Sequence, residues 1–130
     1  MPPLKWDDGL ALAARDHCED IGSKGLVTHT GSDASQIYER VQRYGRAQGM
    51  QAENLSFGSV TGQEHVMALF LDDGVPGRRH RANIWSADFG ATGIASCRHT
   101  SQYKNVVVIV YAGGFKINQN GIDKVRHVYD

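Results

Sequence analysis

The sequence predicts an α+β fold in which helices pack on a sheet. Apolar residues recur at three- and four-residue intervals through the first part of the chain. After "GRRHRANIW" the period changes to the alternation of strands. Two strand-like segments, "GATGIASC" and "KNVVVIVYA", are then joined by a polar connection that suits a hairpin. Helices first and paired strands later is the α+β order.

Each element has a local reason. Trp6, Leu10, Ala13, Ala14, Cys18 and Ile21 form one stripe, which predicts a first helix of roughly four turns, ended by Gly22 and Gly25. "THTGSDAS" is a polar loop, and Ser32 or Asp33 is placed to cap a second helix. On that helix Ile37, Val41 and Tyr44 share a face opposite Glu39, Arg40 and Arg43. Gly45 to Gln51 reads as irregular. A third helix is expected from Gln63 to Asp73 with Val66, Leu69 and Phe70 inward, stopped by "DGVPG". "GRRHRANIW" reads as a short helix or turn of helix, "NQNG" as a tight turn, and the tail to Asp130 as short and mixed.

The chain has 130 residues, the size of one domain that buries a core without help from repeats. We therefore expect a single domain over 1–130, with 115–130 as a C-terminal extension. Fourteen basic residues balance fourteen acidic ones, which gives no global case for nucleic acid or anionic membrane. The longest apolar run, "VVVIVYAGG", is far too short to cross a membrane and fits a buried strand, so an integral membrane protein is not expected. The start, "MPPLKWDDG", carries no apolar signal region. Cys18 and Cys97 lie far apart and form no zinc-cluster spacing. Composition alone leaves both a bridge and two buried thiols open.

Six histidines are present, and each needs a partner before it means anything. His17 sits in "DHCED", where helical neighbours point in different directions and cannot converge on one ion. His65 fits half-exposed packing on the third helix. His99 and His127 receive no role. His29 lies in a glycine-punctuated polar loop, Glu53 opens "ENLS", Asp73 ends the third helix, and His80 follows one glycine–proline turn. Two imidazoles and two carboxylates from four segments suit a divalent ion, and nitrogen ligands favour zinc, copper or nickel over calcium or magnesium. The spacing by itself is no signature. Arg78, Arg79 and Arg81, with Arg98 or Lys104, suit a polyanion such as a glycan, although a solvated turn explains them more simply. Asn54-Leu-Ser56 matches a glycosylation acceptor, but its apolar neighbours Leu55 and Phe57 suggest a packed segment.

Taken together, "LKWDDGLALAARDHC", "VTHTG", "AENLSFG", "VMALFLDDGVPGRRHRANIW" and "TGIASC…VVVIVYAGG" resemble the CAP superfamily of cysteine-rich secretory proteins, venom antigen-five allergens and plant pathogenesis-related proteins. The likeness runs from Leu4 to about Gly114 and is nearer the microbial branch. It implies a three-layer α-β-α sandwich with a cleft of two histidines and two acids. Matched by position these are His29, His80, Glu53 and Asp73, the last a shorter aspartate where the family has glutamate, with Asp72 as a competitor. The animal members' residues around the second histidine are replaced by Arg79, Arg81, Ala82 and Asn83, so only His80 itself is carried over.

The resemblance also implies secretion, with the signal peptide removed and Cys18 bridged to Cys97. It implies a binding protein whose cleft holds a divalent cation, zinc first, and whose surface meets a lipid, a sterol, or an extracellular protein or glycan. The alternatives are a zinc-dependent hydrolase with Glu53 as general base, and a polyanion-binding module using Arg78, Arg79 and Arg81.

Overall fold

The computed structural model describes residues 3–58, 61–71 and 79–129. In chain order the elements are β1 (Lys5–Trp6), α1 (Asp8–Lys24), α2 (Ile37–Gln42), β2 (Gly45–Phe57), α3 (Gly62–Leu71), α4 (Arg79–Trp85), β3 (Ala91–Arg98), β4 (Asn105–Ile117) and α5 (Gln119–Tyr129). One four-stranded sheet has the order β1-β3-β4-β2. β4 pairs antiparallel with β3 and with β2, and the short β1 runs parallel to β3.

Alternation along β4 builds the layers. Val106, Val108, Val110 and Ala112 face a core shared with Leu10, Ala14, Cys18 and Ile21 of α1 and Val41 of α2. Val107, Ile109 and Tyr111 face a second core with Leu69 of α3 and Ile84 of α4. Period-two side-chain direction thus gives a sheet covered on both sides, which explains why β4 reads as a continuous apolar run. The expected α-β-α layering is observed.

α1 begins where Asp7 turns its carboxylate onto the Gly9 N–H at 2.8 Å, and it ends at Gly25, whose φ of 66° is the left-handed cap conformation. Gly22 does not end the helix. It lies inside it because a Cβ there would meet the Arg98 carbonyl oxygen at 2.2 Å. The same logic governs Gly93, where a Cβ would come within 2.1 Å of the Ala11 nitrogen, so α1 can lie directly on β3. Cys18 of α1 and Cys97 of β3 are disulfide-bonded, with Cα atoms 5.8 Å apart. The thiol alternative is thereby excluded.

Several expectations need correction. Trp6 is not on the α1 stripe: it belongs to β1 and is 55% exposed. Neither Ser32 nor Asp33 caps α2. That position falls to Gln36, whose N–H reaches Glu39 Oε1 at 3.2 Å, while Asp33 instead holds the Ser35 N–H at 2.9 Å in the preceding turn. Arg40 does not share the solvent face of Glu39 but is buried. Gly45 to Gln51 is strand, the outer half of β2. Its pairing with β4 is irregular only between Gln48 and Gln51.

α3 turns a different face inward than expected. His65 and Leu69, four residues apart, are buried, whereas Val66 is 47% exposed. Thr61 and Glu64 cap the start of α3 through a Thr61 Oγ1 to Glu64 Oε1 bond of 3.0 Å and a Glu64 N to Thr61 Oγ1 bond of 3.1 Å. "NQNG" is no turn but the start of α5, with the Asn118 side chain accepting the Gly121 N–H at 2.7 Å. Val125 and Val128 of α5 pack against the α1 core.

Candidate functional site

The site forms at the β2 edge of the sheet, between the two helical layers. Successive residues of β2 point to opposite faces. Glu53 therefore reaches the α1 side, and Asn54 the α4 side.

Glu53 carries an almost fully buried carboxylate, its side chain only 2% exposed. Burying a carboxylate is costly unless charges and donors meet it. Oε2 accepts from Arg40 Nη2 at 3.1 Å, and Oε1 accepts from His29 Nδ1 at 2.9 Å. The Arg40 side chain is 1% exposed and is itself fixed: Nη1 donates to the Ser35 carbonyl at 2.8 Å, and Nη2 to the His29 carbonyl at 3.0 Å. One guanidinium thus clamps both the carboxylate and the loop that carries His29. Because Glu53 Oε1 only accepts, His29 Nδ1 holds the hydrogen, and in the neutral ring Nε2 is the lone-pair nitrogen. The His29 side chain is 58% exposed.

Behind Glu53 stands His17, wholly buried in α1. Its Nε2 donates to the Thr28 carbonyl at 2.8 Å and lies 3.7 Å from Glu53 Oε1, too far for a second hydrogen bond. Burial is the main reason that its pKa lies below the ordinary histidine value, outweighing the pull of the Glu53 charge. His17 is therefore a neutral wall of the site.

On the other face, Asn54 fixes α4. Its Nδ2 donates to the His80 carbonyl at 3.2 Å and to the Tyr111 hydroxyl at 3.1 Å, while its Oδ1 accepts from Asn83 Nδ2 at 2.8 Å. Burial pushes the Tyr111 hydroxyl up to about 12, so it stays protonated. Asn54 is fully buried, which removes it as a glycosylation acceptor.

The result is a cavity of about 330 Å³ lined by His29, Glu53, Arg79, His80, Ala82 and Asn83. Three of the four expected site residues, His29, Glu53 and His80, share it. Asp73 lies outside the described residues, as do Asp72 and Arg78. Among the described residues no group of three or more histidines, cysteines, aspartates or glutamates is placed to hold a metal ion. What the cavity offers is imidazole nitrogen, one guanidinium and a carboxylate already engaged on both oxygens. Arg40, His17 and Asn54 were not singled out as site residues by the sequence. Asn54 carried a signal that pointed elsewhere, to glycosylation.

The family model described as "CAP: Cysteine-rich secretory protein family" matches residues 1–111. No curated protein matches the chain significantly. Among solved structures, the chain is similar to an outer surface protein of Borrelia burgdorferi, with TM-score 0.71 and 19% identity over 91% of this chain and 80% of that one. It is also similar to an extracellular protein containing an SCP domain from Bacillus anthracis str. Ames, with TM-score 0.67 and 19% identity. That match covers 86% of this chain and 34% of the other. At these identities the two structures speak for the fold alone. No described helix is long and apolar enough to cross a membrane.

Proposed function

This chain belongs to the CAP family of cysteine-rich secretory proteins, and we propose that it is an extracellular binding domain whose β2-edge cleft takes a ligand through His29 and His80. A disulfide suits an oxidising compartment, and the two similar structures are an outer-surface and an extracellular protein. The observation that carries the reading is the commitment of Glu53. Its carboxylate orients His29 through Nδ1, which turns the lone pair of Nε2 into the imidazole's ligating atom.

A histidine whose second nitrogen is held by a carboxylate is the usual supporting arrangement for a metal-bound imidazole. The two imidazoles are of the ligand class that a nitrogen-preferring divalent ion takes, zinc first, and supply two of its positions. His29 and His80 would hold it, and the remaining positions would fall to water. Bound there, zinc would supply Lewis acidity and a positive charge at the cleft. Glu53 then supports a ligand instead of taking a proton, because Arg40 and His29 occupy both oxygens. This weighs against the hydrolase alternative. Arg79 in the cleft lining gives an anionic headgroup or an acidic partner surface a place to dock, in keeping with an anionic lipid or a protein ligand; a sterol, whose polar group is a neutral hydroxyl, gains nothing from it.

Calorimetric titration of zinc tests the reading. The wild type should bind saturably, and the His29→Ala/His80→Ala variant should lose the signal. Equal zinc binding by both proteins would overturn it.

A further inference from the structure

One side of β3 is open along most of its length. β1 pairs with it only at Ala91 and Thr92, and no other described strand takes up that lane. Thr92 turns its carbonyl outward, where it accepts from the Asp7 N–H at 2.8 Å. Backbone direction repeats every second residue along a strand, so Ile94 and Ser96 turn their N–H and C=O outward as well. Among the described residues these four groups have no backbone partner. Such an edge pairs readily with another extended chain.

Nothing blunts this edge. At the far side of the sheet, β2 is broken by the irregularity between Gln48 and Gln51, by Gly49 with its φ of 72°, and carries the exposed Arg46. From Gly93 to Cys97, β3 has no charge, no proline and no break in register, and Ile94 is 39% exposed. A groove of about 460 Å³ lies against residues 94–97, walled by Arg15 and Glu19 of α1 and Val128 of α5.

α1 limits what can pair there. It lies along β3, touching at Gly93, where a Cβ would meet the Ala11 nitrogen, and again at Gly22, over the Arg98 carbonyl. A second copy joined antiparallel, edge to edge, would bring two such helices to about 5 Å, the spacing of paired strands. Packed helices need about 8–10 Å. A strand with no helix above it meets no such obstacle. On the face away from α1 the edge presents Ile94, Ser96 and Arg98, and Arg98 has no ion pair among the described residues.

We propose that the outer edge of β3 binds an extended segment of another protein as an added antiparallel strand. The segment carries an acidic residue opposite Arg98, a small polar one opposite Ser96 and a β-branched apolar one opposite Ile94, the pairs that meet across two strands. Backbone hydrogen bonds to Ile94 and Ser96 supply the attraction, and the alternate side chains supply the selectivity. The inference stands independently of the cleft reading, since it uses neither His29 nor His80.

NMR titration of the ¹⁵N-labelled full chain with the capped peptide Asp-Val-Thr-Val-Ile provides the test. Saturable shifts of the Ile94 and Ser96 N–H signals are expected, with slower hydrogen exchange at both. Methylating the peptide's Thr and Ile amide nitrogens, which face β3 in this register, should weaken binding about fivefold for each bond removed. Methylating the two Val amides, which face away, should leave it unchanged. Arg98→Glu should weaken binding about threefold, and a peptide with Lys in place of its Asp should recover it. Equal loss from either methylation pattern, or shifts that spare Ile94 and Ser96, would overturn the proposal. Protection of both amides in the free chain would show that the edge is already covered, and protection growing with protein concentration would reassign it to a second copy.

Discussion

Arg40 decides the site at the residue scale. With Arg40→Met the Glu53 carboxylate stays buried without its guanidinium partner, and stability should fall by about 3–5 kcal/mol. Adding Glu53→Leu removes the unmet charge and should restore much of the loss, as read from urea denaturation of the single and double variants. His17 gives a pH signature. Its folded pKa is below the free value, so the unfolded chain takes up its proton first. Its contribution to stability is therefore complete above about pH 6.5 and is lost as pH falls through the folded pKa. His17→Gln should flatten the denaturation midpoint below that pH; an unchanged slope would show that His17 is charged when folded. His29, Glu53 and His80 were legible through their family motifs. Arg40 and His17 were not, since a charge on a six-residue helix reads as solvent-facing until Glu53, thirteen positions away, is drawn in beside it.

The hidden information at the scale of elements lies in edges and close approaches. The outer half of β2 looked irregular because it is an edge strand with mostly solvent-facing side chains, so no apolar alternation marks it. α5 was hidden for a related reason: its start is built from asparagines and a glycine, residues that serve turns and caps alike. By contrast α1, β3 and β4 carry strong periodicity and were readable. Gly93 shows how tightly two of them meet. Gly93→Ala would push a methyl group into the α1 backbone, which cannot give way as a side chain end would. It should cost about 1–3 kcal/mol or more in denaturant unfolding. A neutral result would mean that α1 does not rest on β3 at this point.

On the scale of the molecule, the sandwich and its bridge are what hold the two halves of the cleft in register. The residues showed helices on a sheet and a buried β4, but the three-layer order and the bridge were legible only through the family likeness, since a continuous apolar run does not say what covers each face and composition left the bridge open. Removing it with Cys18→Ala/Cys97→Ala frees a loop of 79 positions and should lower stability by about 4–5 kcal/mol on the chain-entropy account. The central claim is that His29, aimed by Glu53, and His80 face one ligand together. A crystal soaked in zinc and measured at the zinc absorption edge tests it most directly. One strong anomalous peak is expected about 2.1 Å from His29 Nε2 and from a ring nitrogen of His80; a peak bound to either imidazole alone, or to Glu53 with Arg40 displaced, would contradict it.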